Sequence, residues 1–508
     1  MSRISIIGKL CELETGVRYA RLAVQDGTDY KEVIVSRKDL FANKETLLTY
    51  GANVTNFAKM CEGFYKEEKN LQTEFIYKNL GWSLYENQRV FKADKLFGAV
   101  SIAAHYYGSL RVQPTGNFEA WRNGIVEYAM PQVALQIAIA TGVSALFEGM
   151  LADELDSSLI LHIKGDSSKG KTTFAMLALS VACSPQSIEG NTLFCGWNST
   201  NNFKLSLLRN NYGYPIVFDE ISQVQAHSLT NFVYDIANRQ ERGRLNSDSS
   251  QKDTGTWSTT VISTGEESLL GKCNNNKGLL VRVLEMDFEN ITADAQSAEA
   301  LKAVIVNNYG QLYPAILDYI FGLENGIEKL RTRYREIRAQ LAEEYGTANE
   351  LVNRLMKHIA ILYLSAEVCS EVLGCRFKMA DIKQEFFKAI DEQSLNFNPN
   401  ETEAILTYLR DSFLANTGKY DIKRRSEPYA LPHGYTIGYV TEEADGLRIF
   451  YTTEQFQELI KNCPINDKNK ALKLLKKGGY LKCEKDRLTK KRFVDGYATR
   501  GYEVFIPN

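Results

Sequence analysis

The chain has 508 residues, 44% of them hydrophobic and 24% charged, enough apolar material for three or four globular domains with real cores. Its formal net charge of −2 excludes a polybasic binder of the whole-chain kind, so any nucleic-acid surface has to come from local charge. Nine cysteines occur without a single CxxC pair, which argues against a zinc site and suits a reducing, cytoplasmic setting.

The N-terminus, "MSRISIIGKLCELE", lacks the continuous apolar core of a signal peptide. Short alternating runs ("RISIIGKL", "VRYARLAV", "EVIVS") separated by turn signals predict an N-terminal β-rich domain over residues 1–70. Further short strands around "YEN" predict a β-rich connecting region over 71–120. The segment 116–150 reads as helical. Its stretch 130–151 is long and apolar enough to be weighed as a membrane span. Gln132, Gln136, Thr141 and Ser144 interrupt it and no basic cluster flanks it, so it is expected to be a buried helix, with no membrane partner.

From 159 the pattern becomes strand, loop, helix, followed by the strand-like runs "YPIVFDE" (214–220) and "WSTTVISTGE" (257–266). This alternation predicts an α/β core with a mostly parallel sheet over 121–295. Residues 296–395 carry apolar residues at helical spacing, and 396–508 return to short helices mixed with strands.

The loop Gly165-Asp166-Ser167-Ser168-Lys169-Gly170-Lys171-Thr172, with Thr173 behind it, fits GxxxxGK[ST] at every fixed position. Small residues let successive backbone N–H groups turn toward phosphate oxygens, and the helix that follows favours negative charge. In such a loop Lys171 reaches the β and γ phosphates of ATP, and the Thr172 hydroxyl ligates Mg²⁺. Asp219 and Glu220 close an apolar strand 47 residues after Thr172. Asp219 is expected in the Mg²⁺ shell and Glu220 as the base that activates water. Ser263 and Thr264, at the end of the next strand, lie where open α/β sheets bind ligands and are candidates to bridge the γ-phosphate and the water.

The blocks "GDSSKGKTT", "GWNSTNN", "IVFDEIS", "YDIANRQERGR", "TWSTTVISTGEESL" and "GLLVRVLEM" occur in this order. Together, over about residues 120–380, they resemble the AAA+ ATPase core of helicases carried by phages and mobile elements. The likeness is in particular to the Cch-type, MCM-like helicases of staphylococcal cassette chromosomes. The resemblance implies a P-loop ATPase core with a helical lid and a hexameric ring with ATP between subunits. By the same resemblance Arg282 is the arginine finger that reaches a neighbour's ATP, and Arg354, in the lid, is the second-sensor arginine. The turn-rich insertion 239–257 reads as a β-hairpin, which in that group projects into the ring channel; Arg242, Arg244 and Lys252 are its candidate phosphate contacts.

Residues 461–508 hold 13 Lys or Arg against 5 Asp or Glu. A helix, a Gly-Gly stop and strand-like runs with interleaved aromatics predict a winged-helix-like, DNA-contacting domain. The expected function is an ATP-driven DNA helicase serving replication of a mobile element or phage. Its expected partners are single-stranded or forked DNA, other copies of the chain, and other replication proteins of the same element. Two other readings remain: an ATP-switched DNA-binding initiator or transposition regulator that does not unwind, and an ATP-dependent protein remodeller.

Overall fold

A computed structural model describes residues 3–186, 191–224, 226–243, 254–273, 277–346, 350–397, 401–423, 436–443, 445–463, 465, 467–484, 487–494 and 497–507. Contacts divide the chain into two compact units, Met1–Ile390 and Asp391–Asn508.

The first unit opens with the three antiparallel strands Arg3–Glu12, Arg18–Asp26 and Asp29–Ser36. Thr73–Tyr77 and Ala104–Tyr106 extend this sheet in parallel from the edge of the first strand. The expected run of strands stops at Ser36. Residues beyond it form the helices Arg37–Ala42, Lys44–Leu48 and Phe57–Lys69. The Ser36 hydroxyl accepts from Asp39 N–H and Asn43 Oδ1 from Glu45 N–H, two side-chain caps that start helices where alternation alone would continue a strand. Phe64 closes a small core over Ile6, Leu22 and Val35. Next, Leu80–Tyr85 and Gln88–Lys92 pair through a two-residue turn in which Glu86 and Asn87 both have positive φ, the geometry that matches strand twist in a tight hairpin.

The apolar segment forms the helix Val133–Met150, and 94% of it is buried inside the protein. Gly142 allows this: a Cβ there would meet the Ala178 carbonyl oxygen at 1.9 Å, so the helix backbone lies directly on the helix Lys171–Ser180. One turn further on, Trp82 Nε1–H donates to the Leu146 carbonyl, and the helix Glu350–Leu373 packs along it as well.

At the centre is a five-stranded, all-parallel sheet in the order Phe194–Gly196, Ile216–Asp219, Val261–Gly265, Ile160–Lys164, Val283–Asp287. Its strands read as short apolar runs because both faces are covered. The helices Ala295–Asn307, Leu312–Gly322, Gly326–Tyr345 and Glu350–Leu373 follow.

The second unit has an antiparallel-rich sheet in the order Tyr420–Lys423, Gly438–Glu443, Gly446–Thr452, Tyr497–Pro507, Leu481–Lys482, with Lys490–Val494 also paired to Tyr497–Pro507. The helices Glu401–Ala415, Thr453–Ile460 and Lys468–Lys477 share its core, built on Ile405, Leu409, Phe456, Leu475 and Val504. A full capping box at Thr452 and Gln455 starts the middle helix.

Candidate functional site

The strand Ile160–Lys164 ends in the glycine-rich loop, and the helix Lys171–Ser180 starts at its last turn. Gly165, Ser168 and Gly170 take positive φ values of 143°, 66° and 95°. Such residues turn successive N–H groups into an anion-binding concavity. At Gly170 the φ of 95° favours glycine, and a Cβ would also sit tightly against Ile291 at 3.3 Å.

Ser167, Ser168, Lys169, Gly170, Lys171, Thr172 and Thr173 line a cavity of about 460 Å³. Gly165 and Asp166 sit behind it, their carbonyl oxygens each accepting from Lys171 Nζ at 2.7 Å. Glu220 lines the same cavity. So do Glu266, Asn290, Thr292, Asp294, Glu299 and Lys302, a wall no motif announced. Its cation, Lys302, pairs with Glu299 at 2.8 Å. The helix Ala295–Asn307 that carries them is recognisable from its apolar spacing, but the direction of its polar face is set by packing.

Asp219 and Glu220 end the neighbouring strand. The Thr264 hydroxyl donates to Asp219 Oδ1 and accepts from Glu220 N–H at 3.1 Å, so one threonine orders the acidic pair. Burial, and the Glu220 charge beside it, push the Asp219 carboxyl above its usual range, while the Thr264 bond and Lys171 pull it down. Glu220 has φ of 60°, and its side chain accepts from Ser222 N–H at 3.1 Å and from the Ser222 hydroxyl.

Ser263 takes a different place from its neighbour. Successive strand residues face opposite sides, and Ser263 points into a buried network. Trp197 Nε1–H donates to its hydroxyl oxygen at 2.9 Å, and His162 Nδ1 lies 2.8 Å from it. His162 Nε2 lies 2.8 Å from the Glu267 carbonyl oxygen, which fixes the Nε2–H tautomer and makes Nδ1 the acceptor of the Ser263 hydroxyl. Full burial lowers the His162 pKa, so the ring is held neutral. Lys204 completes this layer, donating to the Trp197 carbonyl at 2.8 Å and lying over the Trp197 and Phe232 rings. Burial pulls its ammonium down to about 8.

Arg282 and Arg354 are not among the residues around this cavity. The Arg282 carbonyl accepts from Ile160 N–H at 3.1 Å, placing it at the start of the strand whose other end carries the loop. Five strand residues separate the two, roughly 16 Å. The Arg282 guanidinium donates to the Gly278 carbonyl at 2.7 Å and lies over the Tyr234 ring. Arg354 precedes Lys357 and His358 by one helical turn. Those two contact Asp156, Ser157 and Glu148, again ahead of the phosphate-loop strand.

The stem of the 239–257 insertion is antiparallel. Gln240 bridges Thr256, and Glu241 N–H donates to the Gly255 carbonyl at 2.9 Å. Arg239 is pinned to the carbonyls of Ala152, Leu155 and Trp257. Arg242 is exposed and pairs with Asp235 at 3.1 Å. Arg244 and Lys252 lie outside the described residues.

The loop residues fit a triphosphate and its Mg²⁺ on their own chemistry: a cradle kept open at Gly170, a buried ammonium, and Thr172 and Glu220 on the same cavity, with Asp219, the residue before Glu220, held by Thr264 and not itself lining the cavity. Comparisons with known proteins bear on the fold. A solved structure described as "SCCmec type IV Cch - active helicase" is 23% identical, covering 100% of this chain and 94% of that one with a TM-score of 0.75. The two therefore share a fold. Another, the C-terminal region of NrS-1, is 8% identical over 75% of this chain and 91% of that one, with a TM-score of 0.25, too low to carry an argument. Among curated proteins none matches the chain. Residues 1–255 match the family described as "Domain of unknown function (DUF927)", and on that match over half its length the chain belongs to the DUF927 family.

Proposed function

We propose that the chain is an ATP-driven DNA helicase or translocase of the AAA+ type, working as a hexameric ring in the replication of a mobile element or phage. The observation that carries this reading is the division of charged groups between the ends of the parallel sheet. A phosphate cradle and an ordered acidic pair stand at one end, with Arg282 roughly 16 Å away at the other. The strand order supports it, with the loop-bearing strand second from one edge, the Asp219 strand second from the other and Val261–Gly265 between them. So does the shared fold with a protein described as an active helicase.

Each residue then has a task. Bound Mg·ATP supplies the phosphoanhydride bond whose hydrolysis drives the motor. Lys171 leaves its two loop carbonyls to neutralise phosphate charge, and Thr172 and Asp219 hold the metal. Glu220 takes the proton of the attacking water, and Thr264 keeps both acids in register. Arg282 serves the site of an adjoining copy, stabilising transition-state charge. The insertion rooted at Gln240 and Thr256, with Arg242, Arg244 and Lys252, grips the DNA backbone. The helices after residue 296 form a lid, and the unit 391–508 acts as a winged-helix-like DNA module.

The test is ATP hydrolysis with and without single-stranded DNA at two salt concentrations, followed by unwinding of a forked duplex. Stimulation of several-fold that fades with salt, together with strand displacement, is expected. Stimulation without displacement would replace the helicase by the initiator or transposition-regulator reading. Indifference to DNA at both salts would overturn both.

A further inference from the structure

The second unit carries a feature that the ATPase reading does not use. Strands Lys490–Val494 and Tyr497–Pro507 form a hairpin in the register Lys490↔Gly501, Lys491↔Arg500, Arg492↔Thr499, Phe493↔Ala498, Val494↔Tyr497. Asp495-Gly496 joins them in sequence and lies outside the described residues. At the last two positions before this joint are Phe493, 74% exposed, and Tyr497, 78% exposed. Large aromatics left this open on a short hairpin contribute nothing to the fold's own core.

Their faces decide what they suit. Directly paired residues share a face and neighbours alternate. Phe493 therefore shares a face with Ala498, and Tyr497, next to Ala498 in the strand, takes the opposite one. A flat protein surface could cover one ring but not both. Each face also carries cations below its ring: Lys491 and Arg500 on the Phe493 side, Lys490 and Arg492 on the Tyr497 side. Residues 487–500 contain five Lys or Arg and one Asp. The root is fixed. Lys490 pairs with Glu503 at 2.9 Å, Arg500 with Glu484 at 3.3 Å, and Arg492 lies over the Phe450 ring. The strand that continues from Tyr497 buries Tyr502 and Val504 in the unit's core.

One ring per face, cations behind each, and a rigid root are what a blade between two nucleic-acid strands requires. Each ring can stack on one base of an opened pair while Lys491 and the local excess of positive charge favour the two diverging backbones. Resting on the DNA-motor reading, we propose that this hairpin is a strand-separating wedge: Phe493 and Tyr497 each stack on one terminal base at the single-strand to duplex junction.

The test uses the full chain and a forked duplex with 2-aminopurine in the junction pair, without ATP, where unstacking raises fluorescence. The variant is Phe493→Ala with Tyr497→Ala, and both side chains are too exposed for the change to endanger folding. Wild type should raise the junction signal and the variant should not. The variant's affinity for a single-stranded tail and its DNA-stimulated ATPase should stay within about twofold of wild type, while unwinding falls about tenfold. Phe493→Tyr with Tyr497→Phe should keep the signal. An unchanged junction signal in the alanine variant overturns the wedge, and so does an equal loss of tail binding. The two readings fail separately. A junction signal that needs the two rings, beside an ATPase indifferent to DNA, supports the wedge and sinks the motor. A DNA-stimulated ATPase with no ring-dependent signal does the reverse.

Discussion

The two ends of the central sheet differ in kind. At the carboxyl end, small residues with positive φ, Lys171 and Glu220 line one cavity, and Thr264 ties Asp219 to the Glu220 backbone. At the amino end, Arg282 and the first turns of the helix bearing Arg354 lie against carbonyls, Tyr234 and the 148–157 segment, out of reach of that cavity. A single chain thus gathers Lys171 and Glu220 on one cavity and holds Arg282 away from it. The lesson is geometric. Parallel strands put loops of one kind at one end, and groups at the other end can act on a ligand only through a second molecule.

The largest effect should come from the carboxyl end. Lys171→Ala is expected to lower ATP turnover at least about 100-fold, the scale for removing a charge that faces a transferring phosphoryl group; steady-state phosphate release checks it, and an unaffected rate would empty the cavity of its meaning. Next is the amino end. Arg282→Ala alone should cost more than tenfold in turnover while leaving the binding of a fluorescent ATP analogue unchanged. Mixing it with Lys171→Ala protein should restore part of the rate, since each copy then supplies what the other lacks. No recovery on mixing, or full activity of Arg282→Ala alone, would mean the two ends work independently. The smallest effect lies between them. His162 is buried neutral while the unfolded chain binds a proton below about pH 6.5, so its contribution is complete above that pH and is lost as the pH falls below it. Thermal melts of wild type and His162→Gln from pH 7.5 to 5.5 should differ in slope by a few degrees; parallel slopes would exclude this histidine as a source of acid sensitivity.

The phosphate loop and "YPIVFDE" were legible because both are local: spacing of small residues in one, an apolar run ending in two acids in the other. Ser263 and Thr264 look equivalent in sequence, and only strand alternation in the folded sheet sends one to the acidic pair and the other to His162 and Trp197. Lys302 and Lys204 were invisible for the same reason. Tertiary packing aims one at the cavity and buries the other against two aromatic rings. Residues 37–69 misled because the alternation of the preceding strands was extended past Ser36, whose hydroxyl starts a helix.

The helix Val133–Met150 carries a consequence for how the chain reaches this shape. It is buried on nearly every side, and its cover comes from both directions along the chain: Trp82 before it, Lys171–Ser180 after it, and Glu350–Leu373 some two hundred residues later. On a ribosome that greasy rod is finished long before its last wall is made. Until then its apolar side chains stay uncovered on that side, the kind of surface that favours self-association. The match to the DUF927 family covers residues 1–255, a span that includes this helix but not its last wall, Glu350–Leu373.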